Sequence, residues 1–334
     1  MYRGGDGVNA AAGDSGALVS VVIPTFDRPH YLRIALASAV AQSYRNLEII
    51  VCDNASRQDL SGIIAGFGDA RIRLHRNARN IGQTPNFLKG LAMAAGKYVA
   101  LLGDDDVWQP DFISTLIAPM EADPGIVVCF CDHDIIDAKG DISVSATDQV
   151  TRRFGRHLLH DGVYRSFDDI ALVYRAICVV SGSLIRRDSI DWSRIPENLP
   201  ISIDLYIAYL LATAGGSCWY ASTRLMQYRY HSLQSANSFT NIPRSWRNDL
   251  RWMLELWMTF LRDDRVKCRP YIRMICARKA AFILFDRLLR RDLRGVGADL
   301  SQFFRAGLLN PSAIYYHIFY FLRFQRLGMG RLIP

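Results

Sequence analysis

Short apolar runs punctuate the chain at intervals of about 25 residues, at 19–23, 47–52, 72–75, 98–102 and 126–131. Each has strand length and is mostly β-branched or Leu. Stretches with helical spacing separate them. One follows Asp27-Arg28-Pro29 and runs on towards Gln42. Another is Thr84-Pro85-Asn86-Phe87-Leu88 with Leu91 and Ala95-Gly96, where Thr84 suits the cap, Pro85 the first turn and Gly96 the end. A third opens at Pro110. Strand and helix in alternation predict an α/β fold with a parallel sheet covered on both faces. Further on, 179–187 reads as a strand. Ile203, Ile207, Leu210, Leu211 and Ala214 mark one face of a helix closed by Gly215-Gly216, and 225–230 reads as a strand. The last ninety or so residues read as helices near 244–262, 270–291 and 312–325, and no internal repeat is found.

Composition supports a packed core. Half of the 334 residues are apolar and 22% are charged, which excludes global disorder. The net charge of +8 is unevenly spread: residues 241–334 hold 18 Lys and Arg against 7 Asp and Glu, a net +11, and residues 1–240 sum to −3. Seven cysteines, an odd number in mostly apolar surroundings with no C-x-x-C pair, read as reduced, buried thiols of a cytosolic protein rather than a zinc site. Cys129 and Cys131 share one face of their strand and are assigned to packing. Residues 1–17, rich in Gly and Ala, read as a disordered leader without the basic start and apolar stretch of a signal peptide. No apolar run approaches the roughly 18–20 residues that span a bilayer.

Ligands of such sheets bind beyond the C-terminal ends of the strands. Polar clusters stand there after each of the first four strands: Pro24-Thr25-Phe26-Asp27-Arg28, Asp53-Asn54-Ala55-Ser56, Asn77 with Asn80-Ile81-Gly82, and Gly103-Asp104-Asp105-Asp106. Turn chemistry alone accounts for any one of them; four in register indicate a site. The three consecutive carboxylates repel one another and become favourable beside a hard divalent cation, Mn²⁺ or Mg²⁺, which is typically shared with substrate phosphates. The alternative is a solvated acidic turn ahead of the helix at Pro110. No G-x-G-x-x-G, G-x-x-x-x-G-K-[ST] or G-x-S-x-G is present, which disfavours dehydrogenase, P-loop and α/β-hydrolase chemistry.

The run Val19-Ser20-Val21-Val22-Ile23-Pro24-Thr25-Phe26-Asp27-Arg28 resembles the opening of the family 2, GT-A-fold glycosyltransferases, where P-T-[YF]-[ND]-R is usual. Leu47 to Ser56 resembles their second strand ending in D-[ND]-x-S, Asn80-Ile81-Gly82 with Asn86 and Gly90 their N-x-G stretch, and Ala95 to Trp108 the strand leading to their D-x-D motif. The resemblance implies a GT-A Rossmann-like nucleotide-diphospho-sugar transferase fold. Residues 18–132 would be its nucleotide-sugar half, 133–240 its acceptor half and 241–334 a helical extension. It implies a donor-binding set of Pro24, Thr25, Phe26, Arg28, Asp53, Asn54, Gly82, Asn86, Asp104, Asp105 and His231, with Asp104, Asp106 and His231 holding the metal. Gly103 departs from the common L-D-S-D-D, and Asp105 with Asp106 is an alternative metal pair.

An inverting transferase also needs a base for the acceptor hydroxyl. The family places it in an E-D or x-D pair opening a helix, which here matches Ile203-Asp204; Asp188, Asp191 and Glu197 are fallbacks. Tyr228-Arg229-Tyr230-His231 resembles the family's Y-R-x-H, where the His approaches metal or diphosphate. Gly182-Ser183 and Arg186-Arg187 resemble its acceptor-side strand, or form a turn with two solvated arginines. Asp132 or Asp134 is placed to touch the sugar. The activity implied is metal-dependent transfer from a UDP- or dTDP-type sugar to a glycan or lipid-linked acceptor in cell-surface polysaccharide synthesis. The competing readings are a sugar-phosphate nucleotidyltransferase, for which the Gly-rich basic signature after the first strand is missing, and a non-catalytic nucleotide-sugar-binding scaffold. The basic, aromatic C-terminal helices either meet an anionic membrane on its cytoplasmic face or pack on the rest of the chain. No nucleic-acid motif accompanies their charge.

Overall fold

The computed structural model describes residues 16–199, 203–231, 246–289 and 291–308. The expected leader, apart from its last two residues, and the expected helix at 312–325 lie outside the described residues. The described chain divides into two units. One holds the residues up to Phe167 with Tyr174–Tyr230, and the other holds Asp168–Val173 with the chain from His231 onward.

The first unit follows the apolar pattern closely. β1 (Val19–Thr25), α1 (Pro29–Val40), β2 (Leu47–Asp53), α2 (Ser61–Ala65), β3 (Ile72–Arg76), α3 (Gln83–Met93) and β4 (Tyr98–Leu101) come in turn. Then follow β5 (Val107–Trp108), α4 (Phe112–Ala122), β6 (Ile126–Ile136), α5 (Val144–Arg153), β7 (Gly162–Tyr164), β8 (Ser183–Arg186), α6 (Ile203–Thr213) and β9 (Ser217–Arg229). Among the described residues they form one nine-stranded sheet of order β3-β2-β1-β4-β8-β6-β9-β5, with β7 also on β9. β1 to β4 are mutually parallel, whereas β8 runs antiparallel to both of its neighbours. The sheet is therefore mixed rather than purely parallel. β6 runs through positions 132 and 133, so the two expected halves share one sheet.

Three local expectations change. α3 starts at Gln83 with Gly82 as its cap residue at φ 93°, and Thr84 does not cap it. The Thr84 hydroxyl instead donates to the Leu199 carbonyl at 2.7 Å. The expected strand at 179–187 is a tight turn at 179–182 followed by the shorter β8. The expected strand at 225–230 is the end of a longer one, β9, because the run from Ser217 pairs with β6 and β7.

The core beneath the sheet is built by Leu32, Leu36, Ile49, Tyr98, Phe112 and Leu116, all fully buried. All seven cysteines are free, and Cys129 and Cys131 pack in this core as their strand period implies. Gly90 lets α3 lie close on β1 and β2: a Cβ there would stand 2.4 Å from Val22 Cγ1 and 2.8 Å from Cys52 Sγ. Gly90→Ala is expected to destabilise the fold by about 1–3 kcal/mol through overpacking. A denaturant midpoint equal to wild type would show that the helix can shift freely.

The second unit is made of α7 (Trp246–Arg262), α8 (Arg269–Leu289) and α9 (Leu293–Arg305), with the π-turn Asp169–Val173. Trp257, Phe260, Ile272, Cys276, Ala280 and Phe303 are buried within it. The buried Asp299 of α9 accepts hydrogen bonds from Arg251 of α7 and Arg287 of α8, which ties the three helices together. α9 was not anticipated, because its apolar residues leave one face open. Leu293, Leu300 and Phe304 are exposed on it, Phe304 at 75%.

Candidate active site

Parallel register brings the chemistry of distant strands to one edge. Thr25, the last residue of β1, sits opposite Asp53, the last of β2. Beyond β4 the chain turns tightly, with Asp106 N donating to Gly103 O at 3.2 Å, and three carboxylates follow one another at that edge. Asp104 accepts from Thr25 Oγ1 at 2.7 Å and from Arg28 Nη1 at 3.0 Å. The same Arg28 nitrogen donates to Asp105 Oδ2 at 3.0 Å. Asp106 accepts from Ser181 Oγ at 2.6 Å and from the backbone N–H of Arg229 at 3.0 Å. Arg229 is buried, and its Nε donates to the Asp105 carbonyl at 2.8 Å.

These carboxylates are placed where negative charge is costly. Burial and then the Asp105 charge push Asp104 up to about 6, against the pull of Arg28 and Thr25. The same two causes hold Asp106 well above the ordinary carboxylate range, against the hydrogen bonds from Ser181 and Arg229. A cation at this edge would remove that cost. Gly103 stands where the common motif has Asp, and the space explains it. A Cβ at 103 would lie 2.9 Å from Asp106 Oδ2 and 3.2 Å from Asp105 Oδ1.

Asp53 is fully buried. Its Oδ1 accepts from Ser56 N at 2.9 Å, while Oδ2 has no hydrogen-bond partner and faces Arg76 Nη1 at 3.5 Å. A buried carboxylate oxygen without a donor is an open acceptor position. Phe26 is 41% exposed one residue beyond β1, a ring available for stacking. Pro24 lies within β1, just before Thr25. Asn54 and Asn86 spend their amides on the protein itself. Asn54 donates to Asn80 Oδ1 and Gly82 O and accepts from Ile81 N, which fixes the Asn80-Ile81-Gly82 loop. Asn86 donates to Cys52 O and accepts from Asn77.

Asp204 opens α6 as expected. Its Oδ1 accepts from Val180 N at 2.8 Å, and burial raises its affinity for a proton. Two of the fallbacks are engaged elsewhere, since Asp191 Oδ1 accepts from Ser193 N and Oγ and Asp188 pairs with Arg187 on the surface, and the third, Glu197, is exposed. Arg186 and Arg187 are not solvated turn residues. Arg186 reaches the carbonyls of Ile126 and Met120 and covers the Tyr98 ring at 5.2 Å, and Arg187 holds Ala94 O. Asp132 is taken up by a buried ion pair with Arg156 at 2.7 Å, and Asp134 faces Arg224 at 3.4 Å. His133, beside Arg156, is kept neutral by burial and then by that positive charge. His231, two residues past β9, is buried and groups with the second unit rather than with that of the carboxylates.

Two residues of the site were not singled out from sequence. Arg229 carried a signal, since it is the Arg of Tyr228-Arg229-Tyr230-His231. Ser181 carried none, lying in an apolar run that reads as strand.

A family model described as glycosyl transferase family 2 matches residues 20–190. The glucosyltransferase WfaP of Escherichia coli, which acts from UDP-Glc on α-D-GlcNAc-diphosphoundecaprenol, is 35% identical over 106 residues, covering 32% of this chain and 42% of that protein. Two solved structures share the fold. S. aureus TarS in complex with UDP-GlcNAc matches with a TM-score of 0.60 at 14% identity, over 78% of this chain and 70% of that one. The mannosyltransferase PcManGT of Pyrobaculum calidifontis, in complex with GDP-Man and Mn²⁺, matches with a TM-score of 0.54 at 16% identity, over 86% and 81%.

Proposed function

The chain belongs to glycosyl transferase family 2 and is a glycosyltransferase, and from that premise we propose that it transfers a sugar, with inversion, from a UDP- or dTDP-type donor to a hydroxyl of a lipid-linked glycan. The observation that carries the reading is the row of three carboxylates at the C-terminal edge of β4, with the half-buried Asp204 joined to the same region through Val180 and Ser181.

Thr25, Phe26 and Asp53 line the place for the nucleoside, with Asp53 Oδ2, which receives no hydrogen bond and faces Arg76 at 3.5 Å, accepting an N–H of the base or a ribose hydroxyl. The donor set also fits a divalent cation. Asp104, Asp105 and Asp106 offer hard oxygens, and each carboxylate oxygen keeps a lone pair beyond the hydrogen bonds described. Among the described residues no three His, Cys, Asp or Glu side chains can close around a metal by themselves. Asp104 and Asp106 would therefore share Mn²⁺ or Mg²⁺ with the donor's phosphates, as such ions are usually held. When bound, the ion neutralises charge developing on the departing diphosphate. Arg28, drawn to Asp104 and Asp105, adds a fixed positive charge at the same edge. Asp204 takes the acceptor hydroxyl's proton as that oxygen forms its bond to the anomeric carbon and the bond to the diphosphate breaks. The acceptor assignment takes its support from WfaP, and the metal assignment from PcManGT.

Purified protein incubated with UDP- and dTDP-sugars, Mn²⁺ and a diphosphate-linked polyprenyl sugar is expected to release nucleoside diphosphate, and chelation is expected to stop it. Pyrophosphate release in a parallel incubation with a nucleoside triphosphate and a sugar 1-phosphate would support a nucleotidyltransferase, and no nucleoside diphosphate released with any donor would sink the reading.

The second unit suits an anionic membrane surface. Residues 241–334 carry net +11, and Leu293, Leu300 and Phe304 lie exposed along α9 beside the exposed Arg294 and Arg305. No helix among the described residues is long and apolar enough to cross a membrane. Sedimentation with phosphatidylglycerol vesicles is expected to carry the protein down at low salt, and release it as salt screens the charge. Equal recovery with neutral vesicles would refute electrostatic docking.

A further inference from the structure

Residues 179–182 form a type II turn, with Val180 at φ −77°, ψ 127° and Ser181 at φ 69°, ψ −21°. The second central position of such a turn favours glycine, since a Cβ is strained at positive φ. Gly182 stands one place too late, and a serine holds the strained position. Its polar groups account for the choice. The Ser181 hydroxyl donates to Asp106 Oδ2 at 2.6 Å and accepts from Gly103 N at 2.8 Å, and its carbonyl accepts from Trp108 Nε1 at 2.6 Å. The preceding N–H, of Val180, donates to Asp204 Oδ1 at 2.8 Å. Upstream, Arg156 reaches the Ala176 carbonyl at 3.4 Å and is itself held by Asp132.

We infer that Ser181 is a positioning residue that sets the metal-side carboxylate Asp106 and the base Asp204 in one fixed relation through the 180–181 turn. Strain persists where the surroundings over-determine it, and here three partners do so. The turn thereby joins the donor side of the reaction to the acceptor side. One oxygen of Asp106 is oriented by the hydroxyl, and Asp204 is held by the adjoining peptide. This inference rests on the roles proposed above for Asp106 and Asp204.

Ser181→Ala and Ser181→Gly in the full chain test it. Both lose the hydroxyl, and only Ala keeps the strained φ. Both variants are expected to lower kcat by about 10- to 100-fold, the usual scale for groups that orient metal ligands. Both should raise the Mn²⁺ concentration giving half-maximal rate, while the KM for the sugar nucleotide at saturating Mn²⁺ changes little. The Gly variant should show the higher Tm of the two yet be no more active. If Ala prevents folding, the Gly variant carries the test. Wild-type kcat and Mn²⁺ dependence in the variants would overturn the inference and leave the transferase reading standing. Activity restored in Gly but not Ala would assign Ser181 to turn geometry alone and overturn the role of its hydroxyl. A wild type that releases no nucleoside diphosphate would overturn the transferase reading, and the inference with it.

Discussion

Asp106→Asn is expected to lower metal-stimulated turnover by about 10³-fold, the scale of losing several kcal/mol of charge stabilisation on the leaving group. The fold should survive. An Asn at 106 can accept from Arg229 N through its carbonyl and donate to Ser181 Oγ through its amide, so both hydrogen bonds have counterparts. Replacing the Asp106 carboxylate also removes its burial cost and its repulsion with Asp105 and Asp104. Without metal the variant should therefore melt at or above the wild-type temperature. Asp104→Asn is expected to behave alike, with Thr25 and Arg28 in place of Ser181 and Arg229. Calorimetric titration of UDP with and without Mn²⁺ separates the effects. Metal-dependent UDP binding equal to wild type in both variants would remove these two residues from the metal site.

Asp204→Asn is expected to leave UDP binding nearly unchanged and cut turnover by about 10²-fold or more, the usual scale for a lost general base. The variant keeps an acceptor for Val180 N, so the turn should hold. The pH profile gives a second check. Burial raises the Asp204 pKa above its ordinary value, and the base works only when deprotonated. The acid limb of kcat should therefore lie above about pH 4, the ordinary Asp range, with activity falling as pH drops through it. The variant should lose that limb. Turnover and limb both retained would place the base on another residue.

The first four strands were legible because their signals are local. Apolar runs of strand length at 19–23, 47–52, 72–75 and 98–102 correspond to β1 to β4 within a residue or two. The polar residues after them had to share an edge once the strands were parallel, since parallel register aligns strand ends. Three adjacent carboxylates announce themselves by their mutual repulsion. Asp204 was legible only through resemblance, because a carboxylate in the first turn of a helix needs no function to explain it.

The sequence by itself determined the alternation of strand and helix, the edge on which the polar groups collect, the acidic row and the helix that Asp204 opens. Each depends on residues near one another in the chain. Tertiary structure alone decided how the two ends of the chemistry meet. Asp106 is held by Ser181 and Arg229, 75 and 123 residues away, and Asp204 by Val180. Val179-Val180-Ser181-Gly182 has the propensity of a strand, and propensity counts only neighbours. The turn forms because β8 enters the sheet antiparallel between β4 and β6, and because hydrogen bonds to Gly103, Asp106 and Trp108 hold Ser181 at a φ that its own side chain disfavours.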